Sequence, residues 1–427
     1  MQTETSGAWY RRLHNQVLLA MVLGAAVGLA GGPAAADKVG WLGTVFVQLL
    51  KMVIVPLVFF SVATGVASVG TGRDLGRLGL KTLAYYVTTS LAAIFVGQLL
   101  VNAIRPGVGA SFEGLASKTV PQVAQPAGAG QFALDLLLRF IPKNPIEAFA
   151  GGEMLGIIGF AIFVGVAISH SPIQVRDRAK TAFDAAFEVM MTLTGFAIKV
   201  LPLGVFGLIA VAATSADAAT VRALVKYVVT IALGLAIHAG VTLPLLLIVL
   251  GRVSPRAHAR AMRDALLTAF STSSSAATMP VTLDGVERRA GVSKRVANFV
   301  IPVGATVNMD GTALYECVGV IFIAQALGFD LSAAQQATIV VTALAASIGA
   351  AGIPSAGLVM IFIVLEAVGL AGEAATVIVG VMLAIDRPLD MMRTAVNIWS
   401  DSCGAVIVAR SEGEELPALA RPRPAVR

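Results

Sequence analysis

Long apolar stretches recur along this chain with few charges inside them, and they constrain its fold more than any motif does. Near 15–33, 41–70, 80–104, 132–170, 181–213 and 222–250 the sequence stays apolar over lengths that match a bilayer's hydrocarbon core. The fourth stretch breaks around Pro142, Lys143, Asn144 and Pro145. Only 13% of the 427 residues are charged, 57% are hydrophobic and the mean hydropathy is +0.83. A soluble chain of this length carries far more charge. The fold class is therefore an all-α polytopic membrane protein, since a helix satisfies its own backbone in lipid. The net charge of +6 is spread over short loops, as the positive-inside rule expects, and no aromatic-basic interleaving points to nucleic acid. Cys317 and Cys403 lie inside apolar stretches, which argues against a disulfide framework or a zinc site.

Arg11 and Arg12, the apolar run from Gln16 to Gly31 and then Ala34 to Ala36 have the order of a signal peptide with its cleavage site. The run is long for one, and Gly24 and Gly28 suit helix packing. We read it as a retained first helix.

Four less ordinary segments follow: 257–290, 296–327, 333–368 and 373–410. Basic residues cluster at Arg11/Arg12, Arg73/Arg77/Lys81, Arg176/Arg178/Lys180, Arg252/Arg256/Arg260/Arg263, Arg288/Arg289/Lys294/Arg295 and Arg410. All of these fall on the cytoplasmic side if the N-terminus is inside, on one condition. Segments 257–290 and 333–368 must each enter and leave on the same side, the first from the cytoplasm and the second from outside. Both hold the break that such a re-entrant hairpin needs. The first contains Ser271 to Pro280, with four serines and two threonines, and the second contains Ser347 to Gly357, with three glycines and Pro354. Non-helical backbone at membrane depth survives only where it is buried in protein or lines a wet cavity. One such break alone is more often a kink at a packing contact. Two of them in oppositely oriented halves point to a transporter binding site.

The last segment carries Asp386, Asp390, Arg393, Asn397 and Asp401 in otherwise apolar surroundings. At roughly 100° per residue these five share an arc of about 80° on one helix face. Each buried charge costs on the order of 2.5–3.5 kcal/mol at a bilayer centre, so the four together would cost about 10 kcal/mol without partners. Their sum is −2, so something cationic, or something carrying both signs, should bind there. A helix lying on the membrane surface is the bland alternative, but such helices carry Lys/Arg-rich polar faces. Between the hairpins Asn308-Met309-Asp310-Gly311-Thr312 interrupts another apolar segment and should free carbonyl oxygens. Hard cations prefer carbonyl and carboxylate oxygen, and Asp310 supplies charge. Glu316 follows four residues after Thr312 on the same face, where a lone acid is either a buried neutral group or a proton relay.

Together, Ser271 to Pro280, Pro302 to Glu316, Ser347 to Gly357 and Asp386 to Asp401 resemble the dicarboxylate/amino acid:cation symporters. That family includes archaeal aspartate transporters and animal excitatory amino-acid transporters. The resemblance spans essentially the whole chain. It implies a homotrimer of eight transmembrane helices plus two re-entrant helical hairpins, built as inverted repeats and working by an elevator motion. Residues 1–256 would be mainly scaffold and trimerisation helices 1, 2, 4 and 5, with helices 3 and 6 belonging to the moving domain. Residues 257–410 would be the transport core and 411–427 a cytoplasmic tail. The protein would lie in a cell membrane, the inner membrane of a bacterium, with both termini cytoplasmic.

The resemblance also implies site residues. Arg393 would pair with a substrate side-chain carboxylate and Asp390 with its α-ammonium. Ser273, Ser275, Thr312, Ile353, Gly357, Thr394 and Asn397 would complete the substrate site. One sodium would lie between Gly304, Asn308, Asn397 and Asp401, and a second at Thr306, Ser347, Ile348 and Ala350. A third would use Tyr86, Thr89 and Ser90 with Asn308 and Asp310. Glu316 would carry a co-transported proton, as in the animal transporters, whereas sodium-only archaeal relatives have a neutral residue there. Two departures stand out. Relatives carry an Arg either where this chain has Ser273 or where it has Met391, and Arg387 is the nearest candidate to compensate.

The expected function is thus a symporter that couples sodium, and a proton, to uptake of glutamate or aspartate, rather than an enzyme. Arg393 asks for an anionic side chain and Asp390 for an amine, so a plain C4-dicarboxylate would leave Asp390 unpaired, and a neutral amino acid would leave Arg393 so. An intramembrane hydrolase would need His238 or His258 as base for the serine run. No nucleophile elbow is present, His258 sits in a basic loop, and His238 reads as a helix-packing hydrogen bonder. An ion channel would need no site shaped for a zwitterion. Counterflow of labelled substrate separates the classes, because only a carrier shows it. Glutamate and aspartate, one methylene apart, stay equal candidates here.

Overall fold

The computed structural model describes residues 13–67, 73–110, 134, 137–214, 217–349 and 356–420. Among these there is no strand. Helix α1 (Leu13–Ala67) bends at Gly32, whose φ of 63° is a left-handed conformation, and continues from Pro33. The sequence expectation of a gap at 34–40 is therefore corrected. The alanines there are strong helix formers, and the chain turns at one glycine instead of looping. Gly24 and Gly28 lie against the backbone of Phe206 and Ala210, leaving no room for a side chain. That is the packing role their spacing suggested.

Helix α2 (Arg73–Ile104) is followed by α3 (Pro145–Gly151), α4 (Met154–His170), α5 (Ile173–Lys199) and α6 (Leu201–Ala213). Asn144 caps α3 by accepting from the Ile146 N–H, so the Pro142–Pro145 break is where the sequence put it. The single span expected at 181–213 is two helices, because Pro202 begins a new one in its first turn. Helix α7 (Ala218–Gly251) starts at Asp217, whose side chain accepts from the Thr220 N–H, and contains π-turns at His238–Thr242 and Leu247–Gly251.

A short helix, α8 (Pro255–Ala261), precedes the first broken segment, which consists of α9 (Arg263–Thr272) and α10 (Ser275–Asp284) packed on each other. The second polar element divides α11 (Lys294–Val307) from α12 (Asp310–Ala326) at Asn308 and Met309. The second broken segment gives α13 (Ala333–Gly349) and α14 (Ala356–Ala367), also packed on each other. Its break, with Ala350 and Ile353, lies outside the described residues. Helix α15 (Glu373–Ser411) carries the charged stripe without interruption.

Helix α1 packs along α4, α5 and α6, while α2, α7, α9, α11 and α12 all pack on α15 or on one another. The second group holds the polar residues. Helix α12 is buried from Asp310 to Ala324, and among the described residues five helices are long and apolar enough to cross a membrane. Large apolar side chains such as Leu29, Leu99, Val221 and Leu245 face outward, the inversion expected of a lipid-facing surface.

At one end of this bundle, just past α15, Glu412 ties three helices together. Its carboxylate accepts from Lys81 Nζ at 2.6 Å, Arg77 Nη2 at 2.7 Å and Arg295 Nη2 at 3.0 Å. Hydrogen bonds from Lys81 and Arg77 hold its carboxyl down at about 2, against an ordinary 4.5. The arginines are solvated, so the network contributes on the order of 1 kcal/mol. A carboxyl lowered in the folded state stabilises fully above its ordinary value and less as pH falls towards the lowered one. Glu412→Gln should therefore lower the melting temperature by a few degrees at neutral pH. The difference from wild type should shrink below about pH 4.5, which thermal scans across pH would read.

Candidate functional site

The five stripe residues of α15 are all buried: Asp386 1%, Asp390 5%, Arg393 1%, Asn397 4% and Asp401 0% exposed. Helical spacing puts them on one face, and α11 and α12 cover that face. Arg393 Nη2 lies 2.8 Å from Asp390 Oδ1 and 3.1 Å from Asp386 Oδ1. Its guanidinium stands over the Tyr315 ring, 3.8 Å from the centroid. Gly357 approaches so closely that a Cβ there would be 2.7 Å from Nη1. Arg393 Nε and Nη1 have no hydrogen-bond partner among the described residues. A buried guanidinium with two unused donor edges has room for a further carboxylate, which a planar fork binds in bidentate fashion.

Next along the helix, Thr394 Oγ1 donates to the Asp390 carbonyl at 2.9 Å. Asn397 accepts from the Gly311 N–H at 2.8 Å and donates to Thr312 Oγ1 at 3.3 Å. The hairpin break comes from local chemistry. Ser273 adopts a left-handed φ of 52°, which ends α9, and Ser274 caps α10 by accepting from the Ala277 N–H. Ser273 and Ser275 are buried, and Ser273 Oγ has no hydrogen-bond partner among the described residues. Both hairpin helices pack on α15. Arg387 Nη1 lies 3.6 Å from Asp390 Oδ2, so it backs the stripe's Asp390.

A second cluster forms where α2, α11, α12 and α15 meet. Asn308 Nδ2 donates to Asp401 Oδ1 at 2.8 Å and to Ser400 Oγ at 3.0 Å. Ser90 Oγ donates to Asp310 Oδ1 at 2.7 Å, and Thr89 Oγ1 lies 3.4 Å from Asn308 Oδ1. Tyr86 donates to the Val300 carbonyl at 2.6 Å, and Gly304 packs against both Tyr86 and Asp401. Asp401 Oδ2 has no hydrogen-bond partner among the described residues. An ionised carboxylate with an orphaned buried oxygen is costly unless a cation meets it, so the donor set fits a hard cation as cargo. In the last turn of α11 the Gly304 carbonyl accepts from the Asn308 N–H at 2.9 Å, while the carbonyls after it have no following turn of that helix to donate to them.

The remaining predicted ligands are less gathered. Thr306 and Ser347 make local bonds, to the Val303 and Leu344 carbonyls. Their helices α11 and α13 pack on each other, and Ile348 is half-buried at the end of α13. Glu316 is fully buried on α12, and neither carboxyl oxygen has a hydrogen-bond partner among the described residues.

Four contributors were missing from the site residues that the sequence implied. Asp386 was visible in the stripe, seven residues before Arg393, as its second carboxylate partner. Ser400, three residues after Asn397, was equally visible by spacing and donates to Asp310 Oδ2 at 2.6 Å. Tyr315 and His238 carried no local signal. His238 hydrogen-bonds across helices as expected, and its partner is a member of the cluster, Nε2 lying 3.0 Å from Asp310 Oδ2. The placing of His258 in a basic loop is corrected: it is buried in α8, bonded to Ser402 Oγ at 3.0 Å and lying on the Trp399 ring. The partners found for both histidines lie on α12 and α15, not in the serine run.

An all-helical membrane bundle whose interrupted helices converge on buried charges of both signs is a secondary transporter. Residues 13–411 match the sodium:dicarboxylate symporter family, and the chain belongs to that family. It is 35% identical to a putative sodium-dependent excitatory amino acid transporter, glt-4, of Caenorhabditis elegans, over 93% of this chain and 89% of that protein. It is 35% identical to excitatory amino acid transporter 3 of Mus musculus over 97% of this chain and 89% of the relative. Against the proton/glutamate-aspartate symporter of Escherichia coli (strain K12) it is 33% identical over 93% of this chain and 92% of the relative.

Proposed function

We propose that this protein is a sodium-driven symporter of glutamate or aspartate, with a proton on Glu316 as an additional coupling ion. The observation that carries the substrate class is Arg393, buried against Asp390 with two donor edges unused. A guanidinium and a carboxylate on one turn suit a molecule carrying an acid and an amine. The relatives named for glutamate, aspartate and excitatory amino acids support the same reading. The Asp401 and Asp310 clusters would hold the sodium ions, with Thr306, Ser347, Ile348 and Ala350 forming a further site. Ser273, Ser275, Ile353 and Gly357 would close over the substrate from the two hairpins.

In this reading eight transmembrane helices and the two hairpins assemble as a homotrimer in a bacterial inner membrane, with both termini cytoplasmic. Residues 257–410, with helices α2 and α7, move as an elevator against a scaffold built on α1 and α4–α6. Uptake into proteoliposomes under a sodium gradient, with labelled glutamate, aspartate, alanine and succinate, tests the proposal. Uptake and counterflow of the acidic amino acids alone are expected. Preferred uptake of succinate would overturn the amine-binding role of Asp390.

Glu316 gives a separate test. An isolated ionised carboxylate buried without donors is very unfavourable, so the side chain travels protonated unless a cation approaches. Glu316→Gln mimics that protonated form. The variant should still bind and exchange substrate, while its net uptake loses dependence on an imposed pH gradient. Identical pH profiles in wild type and variant would leave Glu316 a packing residue.

A further inference from the structure

Helix α7 departs from α-helical bonding where it passes the cation cluster, and the departure has a local cause. Pro244 has no N–H to give, and the Leu243 N–H reaches back five residues to the His238 carbonyl. The residue five on from Ala239 is Pro244, which cannot donate, and the Ala239 carbonyl accepts from Trp399 Nε1 at 3.1 Å. The same π-turn carries His238, fully buried, with Nε2 3.0 Å from Asp310 Oδ2. So α7 touches the cluster from two sides, at Asp310 on α12 and next to Ser400 and Asp401 on α15.

We propose that His238 is a positioning residue of the cation site, which aims the Asp310 carboxylate by donating from Nε2 to Oδ2. The inference rests on the sodium reading above. A carboxylate has about four lone-pair directions, two on each oxygen. Oδ2 receives Ser400 Oγ at 2.6 Å and His238 Nε2 at 3.0 Å, which fills it. Among the described residues Oδ1 receives Ser90 Oγ alone, at 2.7 Å. The open direction is therefore on Oδ1, the oxygen on the side of Ser90 and α2. The χ2 torsion of an aspartate is soft, so nothing intrinsic to Asp310 selects that orientation. Two donors on Oδ2 do. His238 Nδ1 has no hydrogen-bond partner among the described residues, so Nε2 is the ring nitrogen placed to donate.

The test is sodium-dependent binding of labelled substrate to purified protein, with choline replacing sodium. Removing an outer partner of a cation ligand typically weakens cation affinity by about 10–100-fold. His238→Ala should raise the half-saturating sodium concentration by that factor, with substrate affinity at saturating sodium retained. His238→Gln keeps an N–H donor at similar reach and should restore most of the sodium response. A sodium curve for His238→Ala that superimposes on wild type overturns the proposal while leaving the sodium reading intact. A wild type indifferent to sodium overturns both. Should the alanine variant not fold, His238→Asn and His238→Gln decide, because they share an amide and differ by one methylene. Loss in Asn with recovery in Gln supports positioning, and equal curves overturn it.

Discussion

Replacing Arg393 with Cys should abolish uptake of glutamate and aspartate and let the carrier accept alanine, serine or cysteine. The guanidinium is the cation in the site, and it is 1% exposed, so water cannot substitute for it. Removing one partner of a buried, hydrogen-bonded charge pair costs roughly 3–5 kcal/mol. Even the lower figure is more than about a hundredfold in affinity. The loss has two parts: the substrate carboxylate enters a dry site unpaired, and Asp386 and Asp390 lose their common neighbour. The second part bears on the folded protein itself, so melting temperatures of the variant should be read alongside uptake. A neutral amino acid brings no second carboxylate, so its uptake escapes the first part. Unchanged affinity for both acidic amino acids would move the anchor elsewhere, with Arg387, 3.6 Å from Asp390 Oδ2, as the first alternative.

Asp401→Asn and Asp310→Asn should each weaken substrate binding and flatten its dependence on sodium. Asp401 is fully buried, bonded at Oδ1 to Asn308 and at Oδ2 to nothing among the described residues. Asn at that position keeps the shape, removes the charge and turns half of the group into a donor that repels a cation. Since loss of an outer partner already weakens cation affinity about tenfold or more, loss of a direct ligand should exceed that. Sodium and substrate are linked, and the coupling is reciprocal for binding, so poorer sodium affinity appears as poorer substrate affinity at fixed sodium. Asp310 should respond similarly, with an added penalty because Ser90, Ser400 and His238 all donate to it. Wild-type uptake that proceeds equally in choline, driven by a proton gradient alone, would show that these cages do not hold the driving ion.

The sequence was most informative where the cause of structure is local. The serine run interrupts its helix because Ser274 bonds local backbone at the Ala277 N–H. The break at Asn308 and Met309 also falls where the residues put it, although the Asn308 side chain bonds Ser400 and Asp401 across helices. The charged stripe on α15 needed only helical periodicity. Span boundaries were less legible. A run of alanines after Gly32 is as apolar and helical as a membrane span, so only the left-handed φ at Gly32 marks the turn. Pro202 divides a stretch that hydropathy reads as one.

By itself, then, the sequence determined that this is a polytopic helical membrane protein with interrupted helices and a buried stripe of mixed charge. Hydropathy, period and capping chemistry are properties of neighbours along the chain. Tertiary structure alone decided which charges meet. Asp310 finds Ser90 from 220 positions away, Ser400 from 90 and His238 from 72. Those pairings follow from how α2, α7, α12 and α15 cross. A helix fixes which of its residues share a face, but only packing fixes what that face meets.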